Sequence, residues 1–524
     1  MSLILASFSS FSSLRSAEPD WTQVRERLAS GVLRWAGDVE GGAPFQVRDP
    51  RDPNRVIGFE VDLADALAAT ISRRMDAPLV AEFVQYEWVS LTLGLQKGDF
   101  DVIMSGFEIS EQNRAGARFS RPYYIYAQQL AVRHDDRRIH SLSDCRDKLV
   151  GTMAGTAAER LLDREGIANM AFDGQVEPYL DLELGRLDAV LLDAPIVTYY
   201  AATNPKLKLV GRRIGHGSYG VAARPGDQEL VAAIDEALGE LIASGKLAKI
   251  LRRWHLWNID QAALARQPDR LAELKGLGFD PGGRPLDDGQ FKTTDMVDVH
   301  IIASSAQLWT FGQYAPLLLR AAGMTVLITL SSMAVAVVVG LIVAICRLYG
   351  PTATRWLALV YVEFFRGIPL LLLLFFLYYA LPEILPGGLG RLSALATAVI
   401  GFGLNYAAYE AEVYRGAILS VPTRQWDAAR ALGMTDALAF RRVIFPQAFR
   451  TALGPMTNDF VALFKDTSLV SVIAIHDLTK EYLILSRSSL KFVELGLLTA
   501  AIYLAMSVPL GYLSRYLERK WGPR

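Results

Sequence analysis

The chain has 524 residues, and 54 Lys and Arg against 55 Asp and Glu leave a net charge of −1, which removes the electrostatic basis for nucleic-acid binding. Hydrophobic residues make up 51% and charged residues 21%, too apolar for a disordered chain. Two cysteines, Cys145 and Cys346, and six histidines exclude a disulfide scaffold and supply too few ligands for a zinc or other metal cluster, so no metal and no cofactor is expected on this chain.

Residues 1–29 form an N-terminal segment. Ser2 to Ser13 is apolar and Ser-rich but has no basic stretch before it; it reads as an imperfect signal peptide, or the true start differs. From Ser30 to about Trp257 charges recur every few residues without a long apolar run, the pattern of a water-soluble α/β domain over 30–258. Strands are predicted at Val32–Trp35, Leu79–Val84, Asp101–Ser105, Gln129–Arg133, Leu149–Met153, Ala189–Leu192, Leu207–Val210 and Tyr219–Ala223. Helices fall between them, such as Val61–Arg74 with its stripe of Val61, Leu63, Ala64, Leu67, Ala68 and Ile71. The alternation predicts parallel sheets covered on both faces.

An internal echo marks a site. Gly98 to Gly106 (GDFDVIMSG) resembles Gly185 to Asp193 (GRLDAVLLD): a glycine ends a helix, an Asp follows three residues later, and a short apolar strand runs out to a small or polar residue. Ligands of open α/β sheets bind at strand C-termini, so Gly106 and Asp193 are equivalent positions, one per lobe.

Residues 259–313 are polar, with Gly276, Gly278, Pro281, Gly282, Gly283 and Pro285, and read as a tether. Over 314–518 the chain becomes a transmembrane domain. Met324–Cys346 carries no charge and is long enough to cross the ~30 Å hydrocarbon layer. Trp356–Leu381, Leu392–Tyr409, Leu453–Ile475 and Leu495–Tyr512 follow, giving five expected spans. One set of loops, the 416–450 loop among them, holds Arg347, Arg355, Arg424, Arg430, Arg441, Arg442 and Arg450, and the tail adds Arg515, Arg519, Lys520 and Arg524. The alternate loops hold Arg391, Lys480, Arg487 and Lys491. The positive-inside bias places the 416–450 loop and the tail 519–524 in the cytoplasm, and the soluble half outside. Glu363 with Arg366, and Asp459 with Lys465 and Asp466, either pair across helices or line a substrate path.

Phe45, Ile57 to Leu63 (IGFEVDL), Ser105-Gly106, Phe119 to Tyr124 (FSRPYY), Gly155-Thr156 and Leu192 to Pro195 (LDAP) together resemble a periplasmic solute-binding protein of the polar amino-acid type. The resemblance implies two lobes that close on a ligand, with hinge crossings near Gln128–Arg133 and Ile214–Gly220. It implies that Phe45 belongs to the substrate site, that Trp88 packs on the ligand side chain, that Ser105, Gly106 and Thr156 meet its carboxylate, and that Asp193 accepts its ammonium group. Three positions depart from the family pattern. Its stacking aromatic falls at Gly42, its Ser or Thr after Gly106 is Glu108, and its carboxylate-clamping Arg falls at Asn113, with Arg114 one residue late. Glu108 holds a cationic ligand group, or it pairs with Arg114 or another cation.

The 416–450 stretch, with Asp427-Ala428-Ala429, Gly433, and Ile444 and Pro446, resembles the coupling loop of ATP-binding-cassette importer permeases. Phe365 to Pro369 (FRGIP) and Lys465 to Leu469 (KDTSL) resemble their amino-acid branch. The resemblance implies a bacterial inner-membrane importer subunit for a small-molecule amino acid, and five spans, too few to enclose a path, lead to the expectation of a dimer in the membrane. ATP and Mg would be held by a separate cytoplasmic ATPase dimer, since no complete phosphate-binding Gly-x-x-x-x-Gly-Lys-Ser/Thr loop occurs in the chain. The competing readings are a ligand-gated channel or sensor with the same binding domain, and an external dehydratase with Glu108 as its acid.

Overall fold

The computed structural model describes residues 18–266, 309–385, 392–473, 475–489 and 491–521. The run from Ser2 to Ser13 and residues 267–308 of the expected tether lie outside the described residues. Residues 18–29 include the helix Trp21–Arg27, and 259–266 hold the helix Ile259–Arg266, whose Gln261 exchanges hydrogen bonds with the Ile125 backbone. Two units result: Met1–Thr310 with Arg487–Leu490, and Phe311–Ser486 with Lys491–Arg524.

Strands in the first unit are β1 Val32–Gly37, β2 Val47–Arg48, β3 Val56–Ile57, β4 Val80–Gln85 and β5 Val102–Ile103, then β6 Arg118–Arg133, β7 Val150–Met153, β8 Asn169–Phe172, β9 Ala189–Asp193 and β10 Leu207–Ala223. Eight form one sheet in the order β4-β1-β5-β10-β6-β9-β7-β8. The parallel triplets β4-β1-β5 and β9-β7-β8 are the centres of two lobes. Between them β6 and β10 are antiparallel to each other and to their outer neighbours. The sheet is therefore mixed, a correction to the purely parallel expectation.

That correction has a local cause. The sequence suggests strand at the ends of these segments, but Pro122 in β6 and Gly211, Gly215, Gly217 and Gly220 in β10 argue against strand in their middles. Pairing between the two long segments overrides that local preference, and the glycine-rich middle is where their register slips, between Val210 and Ile214 and again before Gly217. Both strands thus run through both lobes, and their register slips again between Tyr219 and Ala222.

A large apolar cluster runs from the first lobe into the second, where it takes in Val190, Leu192 and Tyr199. In the first lobe, Leu33 and Trp35 of β1 and Val102 of β5 bury against Leu63, Leu67 and Ile71 of the helix Phe59–Met75. In the second, Leu130, Val150, Leu191 and Leu162 form a separate, smaller cluster.

The second unit is all helical. Its principal helices are Phe311–Tyr349, Thr352–Gly367, Ala394–Leu419, Phe445–Asp466 and Phe492–Trp521. Among the described residues two are long and apolar enough to cross a membrane, Phe311–Tyr349 and Phe492–Tyr512, or three if the pair Thr352–Gly367 and Leu370–Ala380, bent by 105°, is one span. This corrects the expected count of five. Ile368 precedes Pro369 and is extended, as the proline ring requires, which bends the second segment. Leu392–Tyr409 falls in a helix that buries Asn405 and Glu410. Leu453–Ile475 carries Asp459, Lys465 and Asp466 and changes to a tighter 3-10 turn after Asp466. Polar side chains in these helices lower the apolar character that marks a span.

Candidate functional site

The candidate site lies where β5, β6, β9 and β10 meet. Asp193 ends β9 directly opposite Gln128 of β6, and Gln128 Nε2 donates to Asp193 Oδ1 at 2.6 Å. The Tyr219 hydroxyl donates to Asp193 Oδ2. Burial pushes the Asp193 carboxyl well above its usual range, and the nearby Glu108 charge adds to the shift. The amide nitrogen of Gln128 must face the carboxylate, so its Oε1 is fixed on the other side, buried and without a hydrogen-bond partner among the described residues.

The loop after β5 is zipped onto β10: Ile109 N–H donates to Ser218 O at 2.8 Å, and Gly220 N–H to Phe107 O at 3.1 Å. This sets Glu108 opposite Tyr219. Glu108 Oε1 accepts the Ala157 N–H at 2.8 Å, at the start of the helix Ala157–Glu165 in the second lobe. Its other oxygen pairs with Arg160 of that helix. Burial raises the Glu108 carboxyl, opposed by Ala157 and Arg160. Arg114 is placed elsewhere, with its guanidinium 5.9 Å from the Phe119 ring centre. Asn113 Nδ2 donates to the Glu108 carbonyl at 2.9 Å.

Other sequence-predicted groups are gathered here, each already bonded within the chain. Ser105 Oγ accepts the Asp38 N–H at 3.2 Å and lies 2.6 Å from the Gln46 amide oxygen when the amide nitrogen faces Glu60. The Gly106 N–H donates to Glu60 Oε1 at 2.7 Å. Thr156 Oγ1 donates to Met153 O at 2.7 Å and accepts the Glu159 N–H as the cap of its helix. Phe45 packs under Gly106 and edge-on to Tyr219 at 5.7 Å. Trp88 meets Phe107 edge-on at 5.9 Å. Tyr126 stacks on Tyr219 at 4.6 Å. Where the family's aromatic would fall at Gly42, a Cβ would collide with the Tyr200 hydroxyl, so Tyr200 of the second lobe fills that space.

Sequence reasoning missed Glu60, Gln128, Arg160, Tyr200 and Tyr219. Glu60 stood in the quoted run Ile57 to Leu63, and Arg160 is one helical turn after Thr156. The others come from strands and a helix whose facing partners only the fold supplies. Among the described residues no group of three or more His, Cys, Asp or Glu is placed to hold a metal.

In the second unit the 416–450 region folds as the helix Thr423–Ala431, a left-handed turn at Gly433 (φ 76°) and the short helix Asp436–Ala439. Arg430 Nε bonds Asp436 Oδ1 at 2.9 Å across the turn. Asp427, Ala428, Gly433 and Pro446 are exposed, while Ala429 and Ile444 are buried. Leu432 at the tip is 77% exposed, an apolar knob. Elsewhere a cavity of about 430 Å³ is lined by Arg366, Asn405, Tyr409, Asp459 and Asp466 among others. Asp466 accepts the Tyr406 hydroxyl at 2.7 Å, and Arg366 lies 5.3 Å from the Tyr409 ring centre.

Residues 36–256 match the bacterial extracellular solute-binding proteins, family 3. Residues 336–523 match the binding-protein-dependent transport system inner membrane component. A probable amino-acid ABC transporter permease protein, YckA of Bacillus subtilis, is 37% identical over 207 residues, 40% of this chain and 90% of the relative. The glutamine transport system permease protein GlnP of Escherichia coli is 34% identical over 205 residues, 39% of this chain and 93% of the relative. Among solved structures, an ancestral arginine-binding protein bound to arginine shares 31% identity, covering 43% of this chain and 98% of that one at a TM-score of 0.39.

Proposed function

The chain belongs to the amino-acid permeases of binding-protein-dependent ABC transporters, with a family 3 solute-binding domain ahead of the permease, and from this we propose that it is an importer subunit carrying its own receptor for polar amino acids and their close chemical kin. Residues 30–258 are the receptor, 259–313 the tether, and 314–518 the permease. The observation that carries the reading is the union, in one polypeptide, of a two-lobed unit joined by two long crossing strands and a helical unit with an exposed helix–turn–helix.

Each part has a physical task. Closing the lobes removes the ligand from water, and Asp193 with Gln128 supplies the fixed acceptors that a desolvated cationic nitrogen needs. The exposed surface around Asp427 and Leu432 docks a separate cytoplasmic ATPase dimer, which holds ATP and Mg. The receptor is extracytoplasmic, the 416–450 loop and C-terminus are cytoplasmic, and two copies pair in a bacterial inner membrane to enclose the path. Asp459 and Asp466 give that path a stretch able to receive a cation. The tether replaces bimolecular capture by a local receptor concentration of roughly millimolar order.

The test is reconstitution of the chain with a cognate ATPase in proteoliposomes. Ligand-dependent ATP hydrolysis and uptake are expected. Uptake without nucleotide, or labelling of a cysteine placed at Arg430 from the receptor side, would overturn the reading.

A further inference from the structure

We infer that the receptor's ligand is an organic cation without a free α-carboxylate, because the side chain of Glu108 occupies the place that such a carboxylate would take. The inference rests on the reading of this unit as an importer's receptor and narrows its substrate class.

The donors come first. A ligand carboxylate buried in a closed cleft needs several N–H or O–H groups, or its desolvation defeats binding. In this protein the candidates are engaged. Gly106 N–H is given to Glu60; the Ser105 hydroxyl donates to Gln46 and accepts the Asp38 N–H; and the Thr156 hydroxyl donates to Met153 O and accepts the Glu159 N–H of its own helix. The Ala157 N–H and the Arg160 guanidinium, the two groups best suited to an incoming anion, are both held by Glu108. Where the family's clamping arginine would stand, Asn113 instead braces the Glu108 backbone, and Arg114 is turned to Phe119. Glu108 is 3% exposed, so its carboxylate is held inside while the Arg160 side chain reaches the surface.

The acceptors point the same way. Asp193 is 7% exposed and carries one hydrogen bond on each oxygen, which leaves lone pairs on both. Gln128 Oε1 beside it is buried and has no partner among the described residues. Tyr219, whose hydroxyl bonds Asp193, stacks against Tyr124 and Tyr126, which shields the acceptors from water on that side. Arg160 pairs with Glu108, whereas the hydrogen bonds to Asp193 come from the neutral Gln128 and Tyr219, so a cation is the missing partner of Asp193. An ammonium or guanidinium group satisfies it. A zwitterion would bring a second carboxylate against Glu108, and like charges in a dry site cost several kcal/mol, roughly a hundredfold or more in affinity.

The experiment is calorimetric titration of the full chain in detergent with three matched pairs: agmatine and L-arginine, putrescine and L-ornithine, histamine and L-histidine. At least one amine is expected to bind about a hundredfold tighter than its parent amino acid. Glu108→Ser, which frees Ala157 and Arg160, is expected to reverse that preference. Glu108→Gln, nearly isosteric and uncharged, is expected to reduce it and serves if the serine variant does not fold. An amino acid that binds the unaltered chain as tightly as its amine overturns the inference and leaves the receptor reading intact. An unchanged preference in a folded Glu108 variant also overturns it. No heat from any of the six compounds with either protein overturns both.

Discussion

Gln128 and Asp193 are cross-strand partners on β6 and β9, and their side chains meet in a 2.6 Å hydrogen bond. A directly opposed pair on an antiparallel ladder shares one face, so the acceptor of the site is braced by the strand that joins the lobes. Asp193→Asn keeps the size and removes the charge. Ligand affinity is expected to fall about thirtyfold or more, the cost of stripping one partner from a buried charge pair. Titration of the variant with the ligand that the unaltered chain binds checks this, and an unchanged affinity would remove Asp193 from the site.

Glu60 is fully buried, and burial lifts its carboxyl from 4.5 to about 7, against the pull of the Tyr123 hydroxyl and the Gly106 N–H. Between those two values the folded chain keeps a proton that the unfolded chain has lost. Stability is therefore expected to fall as pH rises from 4.5 to 7, with a contribution from this group of at most about 1.4 kcal/mol per pH unit. Glu60→Gln should flatten the decline in thermal midpoint followed by tryptophan fluorescence. An unaltered slope would mean that Glu60 does not titrate in this window. Glu177 and Asp193, also raised by burial, are expected to leave a residual slope of the same sign.

Gly106 has φ of +60°, and a Cβ there would stand 2.7 Å from the Phe45 ring. Gly106→Ala combines left-handed strain with overpacking, about 1–3 kcal/mol together. A drop of roughly 2–4 °C in midpoint per kcal/mol is expected for a unit of this size, with weaker ligand binding. A midpoint equal to that of the unaltered chain would contradict the close seat of Phe45.

Gly433 also lies in the left-handed region, at +76°, but with open space around it. Gly433→Asp therefore strains the turn between Thr423–Ala431 and Asp436–Ala439 without a clash. A cost of about 1–2 kcal/mol depletes the docking-competent turn about five- to thirtyfold. Uptake and ligand-stimulated ATP hydrolysis should fall, while ligand affinity measured by titration stays level. Equal uptake would mean that the turn takes no part in coupling.

Much of this architecture is legible in residue order because its signals are local. The stripe from Val61 to Ile71, the uncharged run Met324–Cys346, and the Ala-rich helix before Gly433 each state their conformation within a few turns. The short strands of both lobes are readable for the same reason. The long β6 and β10 are not, since Pro122 and the β10 glycines disguise segments whose conformation comes from pairing with each other. The count of spans goes wrong for a related reason. The apolar runs Leu392–Tyr409 and Leu453–Ile475 read as crossings, but the helices they fall in carry Asn405, Glu410, Asp459, Lys465 and Asp466, and those polar side chains lower the apolar character that marks a span.

At the site, the sequence alone determined which residues are unusual: Glu108 in place of a hydroxyl, Asn113 in place of an arginine, Gly42 in place of an aromatic. It left open whether Glu108 meets Arg114, another cation or a ligand. Only the tertiary structure decided that, by bringing the helix Ala157–Glu165 of one lobe against a loop of the other, so that the cation at Glu108 is Arg160, 52 positions away. The identity of a side chain is a property of the chain, whereas the partner of a buried charge depends on which distant segments the fold packs beside it once water is excluded.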